Sequence, residues 1–128
     1  MTVGDPAQPM IDWLNSVPVA DLAAELMAGV GPSGVGDHTG LVTYLPLVDW
    51  LFQVHGYPKP KRSQTGRSNV PDVPITEAMA LLANADLIYV RNILHDGVRY
   101  WAATRFGLAV LASGKAAVRQ RIKDRTGL

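Results

Sequence analysis

Residues 75 to 114 constrain the fold most, because helix, hairpin and helix signals follow one another there in close succession. ITEAMALLANA (75–85) carries apolar residues at helical spacing and predicts a short helix. LIYVRNIL (87–94) and VRYWAA (98–103), rich in β-branched and aromatic residues, predict two strands. His95-Asp96-Gly97 separates them, and Asp-Gly suits a type I′ turn, whose two central residues need positive φ. Thr104 then offers a hydroxyl to cap a helix opening at Arg105-Phe106-Gly107. A two-residue turn pairs His95 with Val98, Leu94 with Arg99, Ile93 with Tyr100 and Asn92 with Trp101. One hairpin face then holds Val90, Asn92, Leu94, Arg99, Trp101 and Ala103; the other holds Tyr89, Arg91, Ile93, His95, Val98, Tyr100 and Ala102. Both faces are mixed, and the Val90/Leu94/Trp101/Ala103 face is the one expected against the helices. The pattern places no third strand.

Upstream, residues 1–9 read as a loose lead-in. A short helix starts at Met10-Ile11-Asp12-Trp13-Leu14 and ends near Val17-Pro18. Pro18 suits the first turn of a second helix over 19–30, whose missing N–H is an orphan there in any case. GPSGVGDHTG (31–40) is a loop by composition. A third helix lies within 41–56, clearest from Pro46 to His55, where Leu47, Trp50, Leu51 and Val54 make an apolar stripe. YPKPKRSQTGRSNVPDVP (57–74) is a basic, proline-containing loop, long enough to be functional rather than a simple connection. The closing helix is expected from about Arg105 to Arg125, with Phe106, Val110, Gly114, Val118 and Ile122 in one row and Lys115, Arg119 and Lys123 in a basic row beside it. All 128 residues are expected to form a single domain.

The net charge of +1 conceals a polarity. Residues 1–58 contain six acids and no Lys or Arg, whereas residues 59–128 contain all twelve basic residues and five acids, so the two parts carry about −6 and +7. That asymmetry points to polyanion binding, to acid–base self-association, or to halves that fold together and solvate their charges separately. Absence of cysteine excludes disulfides, thiolate metal sites and cysteine nucleophiles. No apolar run approaches the roughly 20 residues of a membrane-spanning helix. The acidic, proline-containing N-terminus lacks the basic segment of a secretory signal, so a cytoplasmic location is expected. Eight Arg against four Lys, with abundant Ala, Val and Gly, suit a GC-rich bacterial or phage genome.

Motifs for small-molecule chemistry fail on inspection. GPSGVG (31–36) lacks the Gly-Lys-Ser/Thr that a phosphate loop requires, and around Gly114-Lys115 Ala109 stands where the first Gly is needed and Ala116 where Ser or Thr is needed. His38, His55 and His95 have no metal-ligand spacing. No cofactor, no metal and no enzymatic activity are expected.

The run LIYVRNILHDGVRYWAATRFGLAVLASG (87–114), with the helix before it, resembles the back half of a winged helix-turn-helix DNA-binding domain. Leu82, Leu87, Ile88, Tyr100, Thr104, Gly107 and Leu111 hold the corresponding places, over roughly forty residues. The resemblance implies an α+β, mostly helical, winged-helix-like fold of about five helices, with a hairpin wing in the C-terminal half and a final helix after it. It further implies a transcriptional regulator or accessory factor that binds DNA. The residues expected at the DNA are Lys59, Lys61, Arg62 and Arg67 in the loop, Thr76 on the recognition helix, Arg91, His95 and Arg99 on the hairpin, and Arg105 at the closing helix. The chain departs from the family where the basic loop replaces a short turn, and where residues 75–85 carry Glu77 but no Lys or Arg for reading bases. These departures favour a rival: a protein-interaction module of winged-helix shape, for example a small phage factor acting on a bacterial host protein. A homodimer through the last helix is a further expectation.

Overall fold

The computed structural model describes residues 6–35, 41–60, 70–93 and 99–128, with Asn92, Ile93 and Arg99 described by backbone alone. Six helices and one hairpin follow in the order α1 (Gln8–Ser16), α2 (Val19–Val30), α3 (Tyr44–Val54), α4 (Asp72–Asn84), β1 (Ile88–Ile93), β2 (Arg99–Ala103), α5 (Arg105–Ala112) and α6 (Lys115–Thr126). The class is α+β and predominantly helical.

Helix α2 is the centre. Ala20, Leu22, Ala23, Ala24, Leu26, Met27, Gly29 and Val30 are all buried, so nearly its whole circumference is apolar. A helix of that kind must be surrounded, and α3, α4 and α6 pack against it. Leu47, Val48, Leu51 and Phe52 of α3, Ile75, Ala78, Met79 and Leu82 of α4, and Val118 and Ile122 of α6 join it in the core, with Met10, Ile11 and Leu14 of α1 and Leu87, Ile88 and Trp101 at the hairpin. No polar or charged side chain is buried among the described residues. At the edge of this core the Glu25 carboxylate pairs with the His55 imidazole, whose ring packs on Trp13 with 4.5 Å between ring centroids. That contact ties α1, α2 and α3 together.

Prolines set several helix starts. Pro18 and Pro71 are the residues before α2 and α4, and Pro46 and Pro74 lie in the first turns of α3 and α4. A proline there sacrifices no intrahelical bond. Pro46 therefore causes no kink, and α4 begins at Asp72, three residues before the expected start and inside the segment read as loop. The inward face of α3 also differs from the expected stripe: Val48 and Phe52 are buried, Trp50 is half-buried, and Val54 is 54% exposed.

The hairpin is antiparallel, but its register is not the expected one. Ile93 pairs with Arg99, Asn92 with Tyr100 and Val90 with Trp101, with an irregularity between Val90 and Asn92. The first pair is one residue off a two-residue turn at Asp96-Gly97, and the extra residue at the irregularity, Arg91, shifts the remaining pairs by one more. A bulge of this kind sends two residues of one strand against one of the other. The turn itself lies outside the described residues. Val90, Trp101 and Ala103 share a face, but that face is not packed against the helices along its length as expected: Trp101 is buried, Val90 is 45% exposed, and Ala102 of the opposite face is buried, while Leu94 lies outside the described residues. A third element joins the sheet beyond β2: Val42 and Trp101 exchange backbone hydrogen bonds of 2.9 and 2.8 Å. It is a single bridge, too short for any sequence periodicity to reveal.

The expected closing helix is two helices. Ser113 ends α5, and Gly114 adopts φ 105° and ψ 169°, a conformation essentially reserved for glycine. The i+4 row continues across this break in sequence but not in space: Val118 and Ile122 are buried, whereas Phe106 is 46% exposed.

Candidate functional site: a groove beside α4

The corner between α4 and the hairpin is built around Asp86. It has φ 62°, a left-handed conformation that Asp tolerates better than most residues. Its carbonyl accepts a 2.6 Å hydrogen bond from the Thr104 hydroxyl, and the same hydroxyl oxygen accepts one of 2.8 Å from the Gly107 N–H, capping α5. Gly107 lies so close to β1 that a methyl group there would run into the Leu87 carbonyl oxygen. Arg121 and Arg125 of α6 reach the Asp86 carboxylate at 3.3 and 3.4 Å, and Arg121 also donates to the Ala85 carbonyl at 3.0 Å. The Arg121 guanidinium stands 4.6 Å from the Phe106 ring centroid. At the other side of α6, Arg119 pairs with Asp21 of α2 at 2.9 Å. Thus Arg119, Arg121 and Arg125 hold α6 onto the rest of the molecule, and the opposite charges of the two halves meet partly inside one chain.

This geometry fixes the orientation of α4. Its inner residues Ile75, Ala78, Met79 and Leu82 enter the core, so Thr76, Glu77, Ala80 and Asn84 face outward. On that side a groove of about 800 Å³ opens between α4, the start of α3 and the hairpin. Tyr44, Leu45 and Pro46 form one wall, Met79, Ala80 and Ala83 a second, and Val90 with Trp101 the third. Thr43, Asp72, Thr76 and Asn84 supply its polar atoms, and among the described residues no Lys or Arg lines it. The Thr76 hydroxyl is turned onto its own helix, donating to the Asp72 and Val73 carbonyls at 3.0 Å each. Asp72, the one carboxylate in the lining among the described residues, lies in the first turn of α4, where a negative charge suits the helix dipole.

The expected DNA-contact residues are distributed differently. Thr76 is in the groove. Lys59 is exposed beyond the end of α3, Arg91 is exposed at the bulge of β1, and Arg105 is exposed as the first residue of α5. None of these three lines the groove. Arg99 is placed as a β2 residue only by its backbone, and Lys61, Arg62, Arg67 and His95 lie outside the described residues. Among the described residues, no group of three or more His, Asp or Glu is arranged to hold a metal ion, and no helix is long and apolar enough to cross a membrane. The helix expected to join two copies, α6, turns Val118 and Ile122 inward and ties three arginines within the chain.

Sequence reasoning missed most of the groove. Pro46 reads as the start of the clearest part of the third helix, and Val90 and Trp101 as the hairpin face against the helices. The available signal was negative: a presumed recognition helix without a cation. Compared with known proteins, the chain matches no family model, no curated protein and no solved structure.

Proposed function

We propose that this chain is a non-enzymatic protein-interaction module of winged-helix-like form, working in the cytoplasm through the groove on the outward side of α4. The element order supports the form: α2, the Val42 bridge, α3, α4 and then the hairpin follow the succession of helix, short strand, helix, helix and two-stranded wing. One observation carries the function. The side of α4 that a winged-helix DNA reader would press into a groove of the duplex is here an apolar hollow edged by a carboxylate. Phosphates call for cations, whereas concave apolar surfaces with aromatic walls suit protein partners. A partner on a bacterial host protein fits a small factor of this kind.

Ala80→Arg tests the reading, because it fills the groove from an exposed helical position. Capture of a partner from nuclease-treated bacterial lysate is expected to fall at least tenfold, with affinity for heparin unchanged or raised. Undiminished capture by the variant contradicts the proposal.

DNA binding is the second reading, favoured by exposed Arg91 on the hairpin and by the basic balance of residues 59–128. Contacts would then come from the wing and the 57–74 loop to phosphates. On that reading, replacing Arg91 and Arg99 with Ala flattens the salt dependence of duplex binding by about one to two units of slope. An unchanged slope in a filter-binding titration removes the wing contact.

A further inference from the structure

From the charge and shape of the groove we infer its occupant: a short amphipathic helix of a partner protein, carrying Lys or Arg beside its apolar anchors. The inference rests on the protein-interaction reading above. The α4 wall extends from Asp72 to Asn84, about 18 Å at the helical rise of roughly 1.5 Å per residue. A partner helix presenting anchors at i, i+3, i+4 and i+7 covers a little over 10 Å by the same rise, so two to three turns fit along this wall. Leu45, Pro46 and Val90 offer exposed apolar surface to such anchors, with Met79 and Trp101 buried behind them.

Charge then selects among amphipathic helices. Asp72 lines the groove, and Glu77 is exposed on the same face of α4 as Ala80 and Asn84, three and seven residues before them. Among the described residues no cation lines the groove, and the α3 wall belongs to a stretch, residues 1–58, that contains no Lys or Arg at all. An incoming acidic helix would meet the like charge of Asp72 and Glu77, and an incoming basic one would meet opposite charge there. Complementarity of this sort acts more on partner choice than on raw affinity.

The test uses the full chain and three labelled 14-residue peptides read by fluorescence anisotropy: a Leu/Lys peptide patterned as a helix, a Leu/Glu peptide of the same pattern, and a Leu/Lys peptide of strict alternation that favours a strand. The helical Leu/Lys peptide is expected to bind at least tenfold tighter than either other peptide. Asp72→Asn combined with Glu77→Gln should shrink its advantage over the Leu/Glu helix to within about threefold, and circular dichroism verifies that the variant remains folded. Equal affinity for the Lys and Glu helices, or preference for the alternating peptide, overturns the inferred occupant. If Ala80→Arg abolishes such indiscriminate binding, the groove still serves as a protein site and only the inference about charge and shape falls. If Ala80→Arg leaves every peptide bound as before, the groove reading falls with it.

Discussion

Thr104 does more than its sequence position suggests. Its hydroxyl caps α5 through the Gly107 N–H and at the same time donates to the Asp86 carbonyl, joining the start of α5 to the corner after α4. Thr104→Val keeps the shape and removes both bonds. A loss of about 1–2 kcal/mol in urea denaturation is expected, the range for lost N-caps, and Thr104→Ser should recover most of it. Equal stability of the Val variant and the wild type would show that the cap contributes nothing. The cap was legible beforehand because a hydroxyl three residues before a glycine in an opening helix is a local pattern. Asp86 was not, since its role depends on Arg121 and Arg125, which lie far along the chain. Asp86→Asn preserves the tolerance for positive φ but removes the charge. Exposed pairs of this kind contribute little, so the variant should lose less than about 1 kcal/mol, and its difference from the wild type should vanish in high salt. A larger, salt-independent loss would mean that the corner, not the ion pairs, depends on the carboxylate.

Between elements, what the sequence revealed followed the range of the determining interaction. The bounds of α2 were readable because proline before it and continuous apolar residues within it are local. The break between α5 and α6 was hidden, because the row Phe106, Val110, Gly114, Val118, Ile122 keeps helical spacing straight through it. The separation is a backbone property of Gly114, with open space around it. Gly114→Ala therefore meets no steric contact and suffers only the conformational cost, about 1–3 kcal/mol, measured as a lower denaturation midpoint. A stabilised variant would instead indicate one continuous closing helix. The hairpin register was misjudged for a similar reason: the Asp-Gly signal speaks for a two-residue turn, while the bulge at Arg91 and the bridge to Val42 are set by distant partners.

At the scale of the molecule, the charge division between front and back reads differently once folded. Part of it is satisfied internally where Arg119 meets Asp21, and α6 is fastened rather than displayed. What remains outward on α4 is apolar and faintly acidic. The groove could not be read in advance because its walls come from residues 43–46, 72–84, 90 and 101, brought together only by the packing of α4 on α2. Being surface, it should tolerate change: Ala80→Arg is expected to alter stability by no more than about 0.5 kcal/mol, which a denaturant titration checks, and a severe loss would place Ala80 in the core rather than at a docking surface. The most direct trial of the whole account is photocrosslinking in bacterial cells with p-benzoylphenylalanine at Ala80, compared with the same group at Lys123 on α6. The account predicts a discrete adduct from the first position alone, unchanged by nuclease and digested by protease. A nuclease-sensitive adduct at Ala80 would contradict it and make the outward side of α4 a nucleic-acid surface.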